Sequence, residues 1–186
     1  MTTPKGRSLL TDGDEAAYEA RLLSLARRTA LEEGPAALSP LRLARDAGVP
    51  KVAVEKRFRT RADLLAAVQA DIAGEAAADV RVALGGMSPR RPQALETLCR
   101  LWIAHWLDRP ALFRIAFAEG AAPPRPAPRG PMAGLADYFD EIGEPARTDL
   151  LLCALHGIIL SQLGRSPGDW SDPGALIALA VSVARS

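Results

Sequence analysis

Between residues 42 and 61 the chain carries seven lysines and arginines against two acids. Five of those cations, Lys51, Lys56, Arg57, Arg59 and Arg61, fall on and just after a short apolar pattern headed by Pro50. A rod that enters a nucleic-acid groove must neutralise the phosphates on either side of it, and this placement would do so. Lys51 sits where a first helical turn would begin; a cation there opposes the helix dipole, which invites a reason other than folding. Val54 and Phe58 have the spacing of an inward-facing anchor, which leaves Lys51, Val52, Ala53 and Lys56 toward base edges. Lysine reads guanine, and small apolar side chains meet thymine methyls. Arg42, Arg57, Arg59, Thr60 and Arg61 are placed as phosphate clamps, which position a protein without specifying a sequence, and Ser39 and Glu55 complete the DNA-binding set. Glu55 is the exception in sign. It is repelled by phosphate unless it pairs with Lys51 or Arg59, each four residues away, or accepts from a cytosine amino group.

A second group is aromatic. Trp102 and Trp106 are four apart, and Phe113 and Phe117 repeat that interval on the next apolar stretch, so two neighbouring helices could line an apolar pocket with His105 and Tyr138 as its polar contacts. The same spacing also describes ordinary core packing. No catalytic residues are assigned: there is no nucleophile elbow, phosphate loop or paired-histidine metal helix. Cys153 and His156, three apart, lack the further ligands that a metal needs. No metal and no cofactor are expected, and the chain is not read as an enzyme.

The elements that would position these groups are helical. Alanine, leucine and arginine dominate the 186 residues, β-branched runs are absent, and apolar residues recur at helical spacing between glycines and prolines. Helices are predicted over residues 15–33, 40–47, 51–58, 61–84, 93–107, 111–118, 132–142, 146–163 and 174–185. Ser39 and Thr60 serve as N-caps, Gly34, Gly48 and Gly85 as stops. Residues 1–14 read as a flexible arm, and the five prolines between residues 120 and 131 imply an exposed loop. The fold class is all-α.

Net charge is +1 for the whole chain, which by itself points to no nucleic-acid partner; the local cationic run does. Two cysteines inside apolar patterns argue for a reducing compartment, and no apolar stretch has the roughly 20 residues that a membrane crossing needs. The cytoplasm is the expected location, without a membrane partner.

Gly34, Ser39, Leu43-Ala44, Ala47-Gly48-Val49, Phe58, Thr60, Asp63 and Leu64-Leu65 together resemble the N-terminal domain of the TetR family of transcriptional regulators, over residues 22–68. That resemblance implies a three-helix DNA-binding head (residues 15–70) containing a helix-turn-helix, a fourth linking helix, and a C-terminal bundle (residues 71–186) that binds an effector and dimerises. It implies a homodimer on double-stranded DNA, a repressor released from a palindromic operator by a small effector; the apolar character of the aromatic group, not the resemblance, points to a hydrophobic or aromatic one. The last two helices are apolar round much of their circumference, so Leu151, Leu155, Ile158, Ile159, Leu176, Leu179 and Val183 are assigned to a two-fold four-helix interface. Pro50 stands where the family has a capping serine and Glu55 where it has a phosphate-reaching tyrosine. The alternative is a binding protein of the same fold that has lost DNA recognition and takes a lipophilic ligand or protein partner.

Overall fold

The computed structural model of the chain describes residues 12–119, 130–164 and 172–186. Among the described residues there are eight α-helices and no strand: α1 (Asp12–Glu33), α2 (Pro40–Ala47), α3 (Lys51–Glu55), α4 (Arg61–Ala83), α5 (Ala94–Asp108), α6 (Pro110–Ala116), α7 (Pro145–Leu163) and α8 (Pro173–Arg185). Four of them, α2, α6, α7 and α8, begin on proline, whose missing N–H is not needed in a first turn. The all-α class read from the sequence is the class observed. Most of the proline-rich stretch, residues 120–129, lies outside the described residues, as does the expected arm up to residue 11; residues 12–14 are already helical. No helix among the described residues is long and apolar enough to cross a membrane.

The described residues form two compact units, the first holding residues 12–68 and 118–119, the second residues 69–117, 130–164 and 172–186. In the first, α1 buries Leu22, Ala26 and Ala30, one residue per turn on a single stripe. Gly34 ends it at φ 86°, its amide donating to the Ala30 carbonyl (3.0 Å). The Ser39 hydroxyl then accepts from the Arg42 amide (3.2 Å) and opens α2. α2 buries Leu43, Ala44 and Ala47 and stops at Gly48 in the left-handed region, where only glycine escapes the Cβ penalty. After two intervening residues α3 begins, pinned by Val54 and then Phe58. The Thr60 hydroxyl accepts from the Asp63 amide (3.0 Å) while the Asp63 carboxylate accepts from the Thr60 amide (2.9 Å), a reciprocal cap that starts α4.

Regular α3 stops at Glu55 rather than at residue 58, because Lys56 and Arg57 turn the chain toward that cap; the Arg57 and Phe58 amides both reach the Val54 carbonyl (2.9 Å).

In the second unit α7 packs on α8 and both pack on α5. The core holds Ile72, Ala76 and Val80 of α4, Leu95, Leu98 and Trp106 of α5, Leu151 and Leu155 of α7, and Ile177 and Val181 of α8. Each fully buried Leu or Ile contributes about 1.5–3 kcal/mol relative to exposure. The helix predicted over residues 132–142 is instead two tighter 3-10 segments, Gly130–Tyr138 and Asp140–Ile142. A Cβ on Gly134 would lie 3.2 Å from that of Ala77, so this segment presses its backbone against α4. Arg81 clamps it there, donating to the Gly134 carbonyl and pairing with Asp137 (2.8 Å).

Candidate nucleic-acid interface

The helix-turn-helix presents α3 with its two faces sharply divided. Val54 and Phe58 are buried as expected, while Lys51, Val52 and Lys56 are exposed, Val52 at 61%. Ala53 and Glu55 are half-buried between them. An exposed β-branched residue between two lysines forms no part of this unit's core. Lys51 Nζ lies 2.8 Å from Glu55 Oε1, so the one acid on this face is paired across a helical turn.

The flanking cations divide into two sets. Lys56 and Arg59 are exposed and pair with no acid among the described residues, and Arg61 is exposed with one contact to the Pro35 carbonyl (3.3 Å). Arg45, which no motif singled out, is three-quarters exposed at the end of α2, with a loose pair to Asp46 (3.4 Å). Arg42 and Arg57 differ from the sequence expectation. The Arg42 guanidinium binds both Glu33 oxygens (2.5 Å each) and Asp46 (3.2 Å), and its hydrogen bonds hold both carboxyls below their ordinary range. Arg57 is folded back onto α1, its guanidinium 5.4 Å over the Tyr18 ring and near Glu15 (3.6 Å) and Glu19 (3.9 Å). Both are therefore struts of the head rather than open phosphate clamps. Thr60 likewise has its hydroxyl engaged, donating to Asp63 (2.8 Å) while accepting from its amide. Ser39 uses its lone pair as a cap and retains a proton to donate.

The residues expected to line a pocket fall into two places. Trp102, Trp106, Phe113 and Phe117 meet edge-to-face, with centroids 5.4 Å apart for the two tryptophans and 5.7 Å from Trp106 to each phenylalanine. They are joined by His156 of α7, whose ring is 5.2 Å from Phe113 and 4.6 Å from Phe117. The sequence pointed to His156 only as half of a metal pair; its role here is aromatic packing, and burial holds its imidazole below the usual value. Trp106 is fully buried, with no partner for Nε1 among the described residues. Tyr138 does not join this nest: its hydroxyl donates to the Met87 carbonyl (2.7 Å) and its ring faces Arg81. His105 borders it on the other side, where a hollow of about 410 Å³ is lined by Asp79, Val82, Leu101, His105 and Arg109. Arg109 donates to His105 Nδ1 (3.1 Å), with Asp79 nearby (3.6 Å). Burial first, and the Arg109 charge second, lower the His105 pKa. Of the six residues assigned to the pocket, His105 lines this hollow, while the four large rings pack against one another.

The interface assignment also divides. Leu151, Leu155, Ile158 and Ile159 are buried within their own chain, which corrects their placement on an outward face. Leu176 is half-buried, and Leu179 and Val183 are exposed (62% and 46%). The outward stripe of α7 is Leu150, Cys153, Gly157 and Leu160 instead, at helical spacing, with Leu150 and Leu160 each more than half exposed.

No sequence-family model matches the chain, and no curated protein matches it in sequence. Solved structures do. SCO4313, a candidate regulatory protein, superimposes with a TM-score of 0.65 at 18% identity, over 94% of this chain and 98% of that one. The multidrug binding protein EbrR, complexed with imidazole, matches at TM-score 0.64 and 21% identity, over 98% and 97%. A TetR family transcription regulator from Marinobacter aquaeolei VT8 matches at TM-score 0.59 and 16% identity, over 93% and 98%. At such identities what is shared is architecture: the chain has the fold of the TetR family, a helix-turn-helix head followed by a helical bundle.

Proposed function

We propose that the chain is a transcription regulator that binds double-stranded DNA through α3. The observation that carries this reading is the exposed α3 face: Lys51, Val52 and Lys56 lie outward on a helix held from behind by Val54 and Phe58. Arg45, Arg59 and Arg61 are the phosphate contacts, with Ser39 donating its remaining proton. The protein acts as a homodimer through the outward stripes of α7 and α8, where Leu150, Leu160, Leu179 and Val183 are exposed large apolar residues that want cover. A two-fold axis there sets two recognition helices on a palindromic operator with half-sites on the order of 34 Å apart. A small hydrophobic or aromatic effector releases the repressor by favouring a spacing that no longer fits adjacent grooves. The multidrug binding capacity of EbrR, a protein of this fold, supports an effector of that kind. No catalytic reaction is assigned. Free Cys153, exposed, suits the reducing cytoplasm where the DNA is.

Electrophoretic shift with DNA flanking the protein's own gene, repeated across salt concentrations, tests the reading. A specific complex that weakens steeply with salt is expected. Lys51→Ala should weaken it and alter sequence preference, whereas Arg61→Ala should weaken it on every sequence alike. Affinities unchanged in both variants would remove the assignment. For the dimer, Leu160→Glu with Leu179→Glu should elute as a monomer in size exclusion and lose most operator affinity; a dimer that survives both changes places the interface elsewhere.

A further inference from the structure

We infer that Lys51 and Glu55 read one G·C base pair as a single donor–acceptor unit, with guanine under Lys51 and cytosine under Glu55. The inference rests on the DNA-binding reading above and deepens it to one position of the operator.

Of the two cations four residues from Glu55, the structure pairs it with Lys51, Nζ to Oε1 at 2.8 Å, and not with Arg59. Both side chains of the pair are substantially exposed, 54% and 38%, on the face that also carries exposed Val52. In the major groove a G·C pair presents guanine O6 as acceptor beside the cytosine amino donor. Those two atoms are themselves joined by an N–H···O bond, so they lie about 2.9 Å apart. A complement to that edge needs a donor and an acceptor at the same spacing, which is the spacing of Lys51 Nζ and Glu55 Oε1. The pair can therefore dock without being broken. An ammonium has three protons, of which one goes to Glu55 and two remain for guanine O6 and N7; the carboxylate keeps lone pairs for the cytosine amino group.

An A·T pair offers a similar central couple, the adenine amino group beside thymine O4, but its flanking groups are wrong at both ends. Adenine N7 would face the carboxylate, acceptor against acceptor. The thymine methyl would stand where guanine N7 receives the second ammonium proton. Reversing G·C puts ammonium against amino group and carboxylate against carbonyl. The negative charge that is a liability beside phosphate thus becomes a discriminator when directed at the groove floor.

The test is selection of binding duplexes from a randomised library by the full chain and by Glu55→Gln, Glu55→Asp and Lys51→Ala, each checked for helicity by circular dichroism. Wild type is expected to fix G·C in one orientation at one position of each half-site, by on the order of tenfold over the other pairs. Glu55→Gln should move that position toward adenine, whose N6 and N7 match an amide. Glu55→Asp, which keeps the charge but shortens the reach, and Lys51→Ala should both lose the preference while neighbouring positions stand. A wild-type consensus that persists unchanged at every position in Glu55→Gln and Glu55→Asp overturns the pair and leaves DNA binding intact. Failure of the wild type to enrich any sequence overturns both.

Discussion

The two units of this chain are held together in different ways. The head buries mainly alanine, leucine and valine, and fixes its helix ends with small polar and glycine residues: Gly34, Ser39, Gly48 and the Thr60–Asp63 pair. The bundle instead interlocks large rings, with Trp106 touching Trp102, His105, Phe113 and Phe117. Where side chains are small, the geometry of turns decides the structure; where they are large, shape does. A helix-turn-helix needs its two short helices at a set angle, which a cap and a left-handed glycine supply more cheaply than bulk.

Removing a ring from the nest should have the largest consequence. Trp106→Ala leaves a cavity among four aromatic neighbours and should cost about 3–5 kcal/mol in denaturant unfolding followed by circular dichroism. A loss below about 1 kcal/mol would mean that the nest is loose, and the contrast with the head would collapse.

Next in size is the turn. Gly48→Val forces a β-branched residue into the left-handed region and should cost about 1–2 kcal/mol. Gly74→Ala is its counterpart in α4, a helical glycine whose added Cβ meets nothing within 4 Å; it should stabilise by about 0.5–1 kcal/mol. If the two substitutions moved thermal stability equally, the special role given to the head's turn would be lost.

The smallest effect is a pH dependence near neutrality, which the two histidines place in the bundle. His105 and His156 are both depressed below 6.5, burial being the first cause for each. For His105 the Arg109 charge adds to burial, while Asp79, Glu75 and Asp108 oppose it. The folded chain therefore binds fewer protons than the unfolded chain once pH drops below about 6.5. Stability is full above that value and declines as pH falls toward the lowered folded values. Thermal midpoints at about pH 7.5 and about pH 5.5 should show this, and His156→Gln should flatten part of the slope. A midpoint that rises on acidification would contradict the assignment of neutral imidazoles.

The head was legible because its decisive residues act on their own neighbours. Ser39 caps three residues ahead, Thr60 and Asp63 cap each other, and Gly48 turns the chain where it stands. What the sequence missed there depends on distance: Arg57 is drawn onto α1 beside Glu15, forty-two residues away. The bundle was legible only as helices. α7 carries two apolar stripes, and nothing in its own residues says that Leu151 and Leu155 are buried while Leu150 and Leu160 face out. The stretch at residues 132–142 has the burial spacing of a helix, Leu135, Tyr138, Phe139 and Ile142, yet the press of Gly134 against Ala77 accompanies a tighter 3-10 path. The aromatic intervals were visible too. Whether such rings line a space or fill it depends on partners such as His156, which only folding brings in.

Cys153 gives the outward stripe of α7 a built-in reporter. Its thiol is exposed between Leu150 and Gly157, whereas Cys99 is buried and pushed up to about 12, chiefly by desolvation, which keeps it a poor nucleophile. A thiol-alkylating dye will therefore mark one place on the native chain without any engineering. Its labelling rate across a dilution series becomes a direct gauge of how much of the time that stripe lies open to water.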